Sequence, residues 1–197
     1  NGSIICKDTF VSDKLHGESL RYDKNKNLTE RLNYINDQLH GKWTYYHNMH
    51  KTNRIKKEGN FKDGKEDGKW TEYYKNGQIE VEGNYKGVDY MGLPKRDGKW
   101  IYYYQNGQIE REENFKDGML VSNKRLWYHM DGKIKKEASY KDDEKDGKWV
   151  EYHESGNIRW EENYKDGQRD GKWISYDEAG NITDEWCYEM GEEVACP

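Results

Sequence analysis

Proline is nearly missing from this chain. Two residues, Pro94 and Pro197, stand in a sequence of 197, so almost nothing forbids continuous strand ladders. Neither falls in an expected strand. Phenylalanine is scarce at three, and hydrophobic residues make up 32% against 36% charged. A thick aliphatic core is therefore excluded. No run of about 18 apolar residues occurs, which excludes a transmembrane helix. No segment has a helical apolar period. There is no basic stripe either: 33 basic and 38 acidic side chains interleave to a net charge of -5, so the electrostatic footprint of nucleic-acid binding is missing. A mean hydropathy of -1.39 leans toward disorder. Eight Trp and 17 Tyr oppose that reading, since each large aromatic buries roughly 150–250 Å². The composition implies a thin fold held by amphipathic aromatics.

Those aromatics recur in register. A Gly opens each unit at Gly17, Gly41, Gly68, Gly98, Gly147 and Gly171, with Asn123 as the one replacement. Asn tolerates a positive φ, so it is expected to keep the backbone role there. Five residues later stands a Tyr every time: Tyr22, Tyr46, Tyr73, Tyr103, Tyr128, Tyr152 and Tyr176. A second line runs Leu28, Ile55, Ile79, Ile109, Ile134, Ile158 and Ile182, each followed six residues on by an aromatic, from Tyr34 to Tyr188. Ile4 and Phe10 share that spacing, as half a unit. A period near 24 marks a repeat array. One array over 1–197 is expected: a half repeat at 1–14, repeats at 15–38, 39–65, 66–94, 95–120, 121–144, 145–168 and 169–190, and a tail at 191–197.

Each repeat reads strand, turn, strand, turn. Asn76-Gly77 and Asn106-Gly107 are strong two-residue hairpin signals, and the Asp-Gly pairs of "KDGKEDG" and "KDGQRDG" join one hairpin to the next. A two-residue turn at Asn76-Gly77 would pair Tyr74 with Ile79, Glu72 with Val81 and Trp70 with Gly83. Alternation then puts Trp70, Tyr74, Ile79 and Tyr85 on one face, and Tyr73 with Glu80 and Glu82 on the other. Each indole would lie across the small residue paired with it. The fold expected is all-β: an elongated, single-layer antiparallel meander of about seven tandem hairpins. Fifteen strands would span roughly 70 Å.

The repeated text "Y-K-D-G-x-x-D-G-K-W-x-x-Y-x-x-N-G-x-I-x-x-E-x-x-Y" resembles the MORN repeat, and more closely the bacterial MORN variant of YwqK-type antitoxins. The resemblance covers about 4–190. It implies a non-enzymatic scaffold that binds protein or membrane, and the variant's name implies neutralising a toxin. The chain departs from the pattern at Ser19 and Arg125, where Trp is expected, and at Lys26, where the turn Gly is expected. The first repeat, the most degenerate, suits a cap.

No catalytic constellation stands out. Glu58, Glu82, Glu112, Glu137, Glu161 and Glu185 share one repeat position and read as a solvated face with cross-strand partners. His47 and His50 form a two-ligand metal pair without an evident third, and the acidic turns lack the ligand pattern of a calcium loop; no metal or cofactor is expected. Cys187 and Cys196 are candidates for a disulfide that staples the tail over the sheet edge and favours an oxidising compartment, while Cys6 stands apart. Specific recognition is expected where the repeat breaks. The largest break, "GVDYMGLPKR" at 87–96, carries Tyr90, Met91 and Leu93, as an exposed contact loop or as a loop folded onto its own sheet. Others are 47–53 and 117–122. The aromatic face, with Trp70, Tyr74, Trp100 and Tyr104, either lines a groove or holds the sheet together. The leading expectation is a protein-binding scaffold, toxin neutralisation being one form. An exported bacterial surface module for host protein or glycan is the alternative. A peripheral scaffold on lipid headgroups ranks last, lacking a basic face. A start at Asn1 without Met reads as a signal-cleaved product or a trimmed chain, and export is slightly favoured over the cytoplasm.

Overall fold

The computed structural model describes residues 5–47, 54–142 and 144–197; Ile4 and the greater part of the 47–53 break lie outside them. Among the described residues there is no helix, and the strands follow one another as antiparallel hairpins. Chain contacts divide into two compact units, Asn1–Gln108 with Phe115–Met119, and Ile109–Asn114 with Leu120–Pro197. The first unit holds Ile5–Lys7 against Gly17–Tyr22, then the hairpins Gly17–Tyr22/Leu28–Ile35, Gly41–Tyr46/Ile55–Lys62 and Gly68–Tyr73/Ile79–Val88, and the strand Pro94–Tyr103. The second holds the pairing of Met119–Tyr128 with Ile134–Lys141, then Glu144–Tyr152/Ile158–Lys165, Gly171–Tyr176/Ile182–Glu189 and the closing strand Glu192–Val194. Pro94 does enter a strand, but as its first residue, where a missing N–H is tolerated.

The two kinds of turn differ in length, and the Asn-Gly tip is longer than the two residues expected of it. At Asn76-Gly77 only the Gly is left-handed, at φ +93. Tyr74 N–H donates to Gln78 O at 2.9 Å and Gly77 N–H to Tyr74 O at 2.9 Å. This is a three-residue loop, a type I turn closed by a left-handed Gly. The Asp-Gly links are the two-residue turns: Asp63 and Gly64 stand at φ +52 and +78, Asp166 and Gly167 at +46 and +79. The longer tip shifts the register. Trp70 pairs with Gly83 and Glu72 with Val81, but Ile79 pairs with Tyr73 rather than Tyr74, across a bulge between Glu72 and Tyr73. A bulge flips the alternation beyond it. Ile79 therefore lies beside Thr71 and Tyr73, not with Trp70.

Lys26, in the turn-Gly position, is forced to φ +65. Lys26→Gly is expected to stabilise the first unit by about 1 kcal/mol, because a left-handed side chain costs roughly that much; a urea midpoint at or below the parent's would refute this. Asn123 does not keep the left-handed role. It is absent from the left-handed residues and lies buried inside the strand Met119–Tyr128. Four residues separate Gly118 from Asn123, where three separate Gly64 from Gly68 and Gly167 from Gly171. The extra residue lets this strand run on without the bend.

The core is a file of rings. In the first unit Trp43, Phe61, Trp70, Tyr85, Trp100 and Phe115 follow one another with centroids 6.2, 5.4, 5.8, 5.0 and 6.5 Å apart. In the second, Tyr140, Trp149, Tyr164, Trp173 and Tyr188 do so at 5.2, 5.3, 5.3 and 5.3 Å. The indoles do not rest on the Gly of their own hairpin. A Cβ on Gly83 would fall 2.1 Å from the Trp100 ring, and one on Gly59 2.2 Å from Trp70. Trp70 and Trp100 lean onto the hairpin before them, and Trp149 and Trp173 donate Nε1–H to Ser139 O and Asn163 O of theirs. The cause is the bulge at the left-handed Gly two residues upstream, which re-aims the side chain. Arg125 fills a Trp place by stacking over Tyr140 at 4.9 Å. Ser19, fully buried, donates its hydroxyl to Asp8.

Candidate interaction surfaces

Three surfaces follow from this register. The first is the ring face. Trp70 and Trp100 are 2% and 3% exposed, and cations lie over the file: Lys57 over Trp70 at 5.1 Å, Arg96 over Trp100 at 4.5 Å, Lys145 over Trp149 at 4.2 Å and Arg169 over Trp173 at 4.1 Å. No open aromatic groove is left at Trp70 and Trp100. Tyr74, half-buried, donates its hydroxyl to Tyr103 O at 2.6 Å. Tyr104 stays half-buried at a hairpin tip, its N–H on Gln108 O.

The second surface is a ladder of Lys, Glu and Tyr. Glu58 accepts from Lys42 at 2.7 Å in its own hairpin and from Tyr73 of the next at 2.7 Å. Glu82 likewise holds Lys69 and Tyr103 at 2.7 and 2.8 Å, and Glu161 holds Lys148 and Tyr176 at 2.6 and 3.5 Å. Glu137 sits between Lys124 and Tyr152. The first repeat reverses the charges, with Glu18 on Arg31 at 2.6 Å. Alongside, the His that follows three of the repeat Tyr reaches forward: the ring nitrogens of His47, His129 and His153 meet Tyr73 O, Tyr152 O and Tyr176 O at 3.0, 3.2 and 3.0 Å. His47 is thus engaged in the sheet, and His50, its expected metal partner, lies outside the described residues. Sequence reasoning missed these forward bonds, although the fixed spacing of Tyr and Glu carried the signal.

The ladder links stability to pH. Burial pushes the Glu58 carboxyl up, but Lys42 and Tyr73 outweigh it and hold it below the ordinary 4.5. Lys69, against burial and with help from Tyr103, does the same for Glu82. Depressed carboxylates stabilise the fold above 4.5, and that contribution is lost as pH falls through their folded values. Glu66 opposes this, since burial raises it. The expected result is a melting temperature of the first unit that drops below pH 4.5, with a shallower drop in Glu82→Gln. Parallel pH profiles would remove Glu82 from the linkage.

The third surface is the break at 87–96. It forms an added hairpin, with Val88 paired to Pro94 and Tyr85 to Arg96. Asp89 accepts from Met91 N–H at 2.8 Å and Leu93 N–H at 2.9 Å, and Gly92 takes φ +82. This is the same Asp-anchored tip seen at Asp23 and Asp177. Of the two expected forms, the loop folded onto its sheet is not adopted: Tyr90, Met91 and Leu93 are 94%, 64% and 56% exposed. Beside it lies a shallow groove of about 370 Å³ lined by Pro94, Lys95, Phe115, Asp117 and Met119. In the second unit Cys187 and Cys196 are joined as a disulfide, and Cys6 of the first is an exposed free thiol. No helix among the described residues is long and apolar enough to cross a membrane.

Comparison with known proteins adds the family. No curated protein matches the chain. Among solved structures, a chain of the Photorhabdus luminescens Tc holotoxin pore is similar at 12% identity and a TM-score of 0.27, over 94% of this chain and 13% of that one. That likeness is too slight to show a common fold. The profile described as the MORN repeat variant matches residues 15–36, 66–86, 96–117, 123–142, 145–166 and 169–190. The matched segments carry the Gly, Tyr and Ile positions traced above, with Leu28 and Asn123 as replacements, so the chain belongs to the MORN repeat variant family.

Proposed function

We propose that this chain is a non-catalytic scaffold that docks a protein partner on the added hairpin at 87–96 and the groove beside it. One observation carries the reading: Tyr90, Met91 and Leu93 project from an Asp-anchored tip, while the repeated indoles are buried. A rigid tip presents its apolar side chains with little ordering cost, which favours binding. MORN repeats are commonly scaffolds for proteins or membranes, and a protein fits this tip better than an anionic lipid surface because Asp89 and Asp117 balance Lys95 and Arg96 in the groove and leave no basic face. A toxin is one such partner, supported by the resemblance to the antitoxin-type variant alone. The Cys187–Cys196 disulfide supports an oxidising compartment.

The test is a cross-linked pull-down from the native cells with the parent chain and the triple variant Tyr90→Ser, Met91→Ser, Leu93→Ser. The variant should melt at the parent's temperature, since the three side chains are exposed. It is expected to lose the captured partner by about 30-fold or more, the scale of a hot-spot anchor. An unchanged partner set would place the site elsewhere.

A further inference from the structure

On the Lys, Glu and Tyr face of the first unit, two shallow polar clefts follow one another. One, of about 300 Å³, is lined by Lys42, Glu58, Asn60, Lys69 and Tyr73. The other, of about 230 Å³, is lined by Lys69, Glu82, Asn84 and Lys99. Lys69 is a wall of both, and each position recurs one hairpin later. The floors are the backbones of Gly59 and Gly83. On the opposite face the same two Gly carry the indoles of Trp70 and Trp100. Strand pairing sets Lys42 against Asn60 and Lys69 against Asn84, and alternation keeps these four on one face with Glu58 and Glu82.

What sets these clefts apart is their Asn. Elsewhere an Asn in this place clamps the next strand, as Asn33 Nδ2 does on Lys42 O at 2.7 Å and Asn163 Nδ2 on Lys172 O at 2.7 Å. Those two Asn are half-buried, and they follow Leu32 and Glu162. Asn60 and Asn84 follow the Gly floors and are exposed. Among the described residues their side-chain amides have no partner. The charges, by contrast, are matched: Lys42 pairs with Glu58 and Lys69 with Glu82, each at 2.7 Å. An ammonium keeps N–H donors beyond its ion pair, and a free amide offers N–H donors and a carbonyl acceptor. Each cleft therefore presents donors and acceptors together with its charges paired off. Its one branched aliphatic side chain, Ile79 or Ile101, is half-buried.

We propose that these two clefts bind an extended, uncharged β-1,4-linked glycan laid across the strands. Paired charges give no steering toward a polyanion or a basic peptide. The clefts also lack the deep apolar pocket that seats an anchor residue of a protein partner. A sugar hydroxyl both donates and accepts, which matches Lys, Glu and a free Asn amide side by side, and the C–H face of the ring can rest on Ile79 or Ile101. The spacing agrees as well: one hairpin spans two strands, about 9.6 Å, close to the length of a β-1,4-linked disaccharide. A single chain can thus place equivalent hydroxyls at Asn60 and at Asn84, and joining two weak clefts multiplies affinity. This site shares no residue with the hairpin at 87–96 or the groove beside it, so either proposal can fail alone.

The experiment titrates the full chain with cellohexaose and, separately, with chitohexaose, which adds acetamido groups, and follows backbone amide shifts. Saturable shifts at 58–60 and 82–84 are expected with at least one of them. That hexasaccharide should bind at least about tenfold more tightly than its own disaccharide, because one chain fills both clefts. Asn60→Ala and Asn84→Ala alter exposed side chains and should leave the melting temperature unchanged. Each is expected to weaken the hexasaccharide by about fivefold, the scale of one neutral hydrogen bond. Three results would overturn the proposal: no saturable shifts at these residues with either hexasaccharide, a hexasaccharide no tighter than its disaccharide, or equal binding of maltohexaose, whose α-1,4 linkage curls the chain away from the second cleft.

Discussion

Trp100→Ala is expected to destabilise the first unit by about 3–5 kcal/mol, the cost of truncating a large buried ring. Trp100 is among the most buried side chains, and its Nε1–H donates to Asn84 O at 3.1 Å. The ring lies between Tyr85 and Phe115 and under the Arg96 guanidinium, 4.5 Å away. Its floor is Gly83, which has no side chain to collapse into the void. The truncation thus opens a cavity, strands Asn84 O and unstacks Arg96 together. Since whole domains are stable by only about 5–15 kcal/mol, the variant should unfold at a much lower urea concentration. Tyr90→Ser, at an exposed tip, should stay within about 0.5 kcal/mol of the parent. A loss below about 1 kcal/mol in Trp100→Ala would mean that the ring file is not what holds these strands.

Breaking the disulfide should cost the second unit about 2–3 kcal/mol, the entropy of closing so short a loop. Cys187 and Cys196 are nine residues apart. The effect should be local, because among the described residues Glu192–Val194 pairs with Cys187 to Glu189. Under reductant, or in Cys196→Ser, amide exchange should accelerate in Glu192–Val194 and in Cys187 to Glu189, with the first unit unchanged. Exchange rates that ignore the reductant would show that the pairing of these strands, rather than the covalent link, holds the tail.

Repeat register was legible because Gly, Tyr and Ile each answer one backbone demand at one spacing. The strands follow from it directly. Turn type was not legible, because Asn-Gly and Asp-Gly carry the same two-residue signal. What separates them is Tyr74, whose N–H closes the longer tip on Gln78 O. That error propagated to Ile79, which a single bulge moves to the other face. Lys26 and Asn123 failed in opposite senses: Lys26 takes the left-handed conformation despite its side chain, and Asn123 declines it. Neither outcome can be read from propensity, since one is imposed by the turn and the other released by an inserted residue. At the surfaces, the break in pattern pointed to Tyr90, Met91 and Leu93. The burial of Trp70 and Trp100 depends on a lean toward the preceding hairpin, which no pairwise alternation contains.

That lean changes what counts as one heritable piece of the molecule. A hairpin is the obvious segment to copy or excise, yet cutting at its ends separates the Gly59 floor from the Trp70 indole and Gly83 from Trp100. A segment that begins with the second strand of one hairpin and ends with the first strand of the next keeps floor, indole, Tyr and Glu together. Gene duplications or designed insertions that respect this half-step phase carry a finished joint with them, whereas those cut hairpin by hairpin must rebuild a joint at both seams.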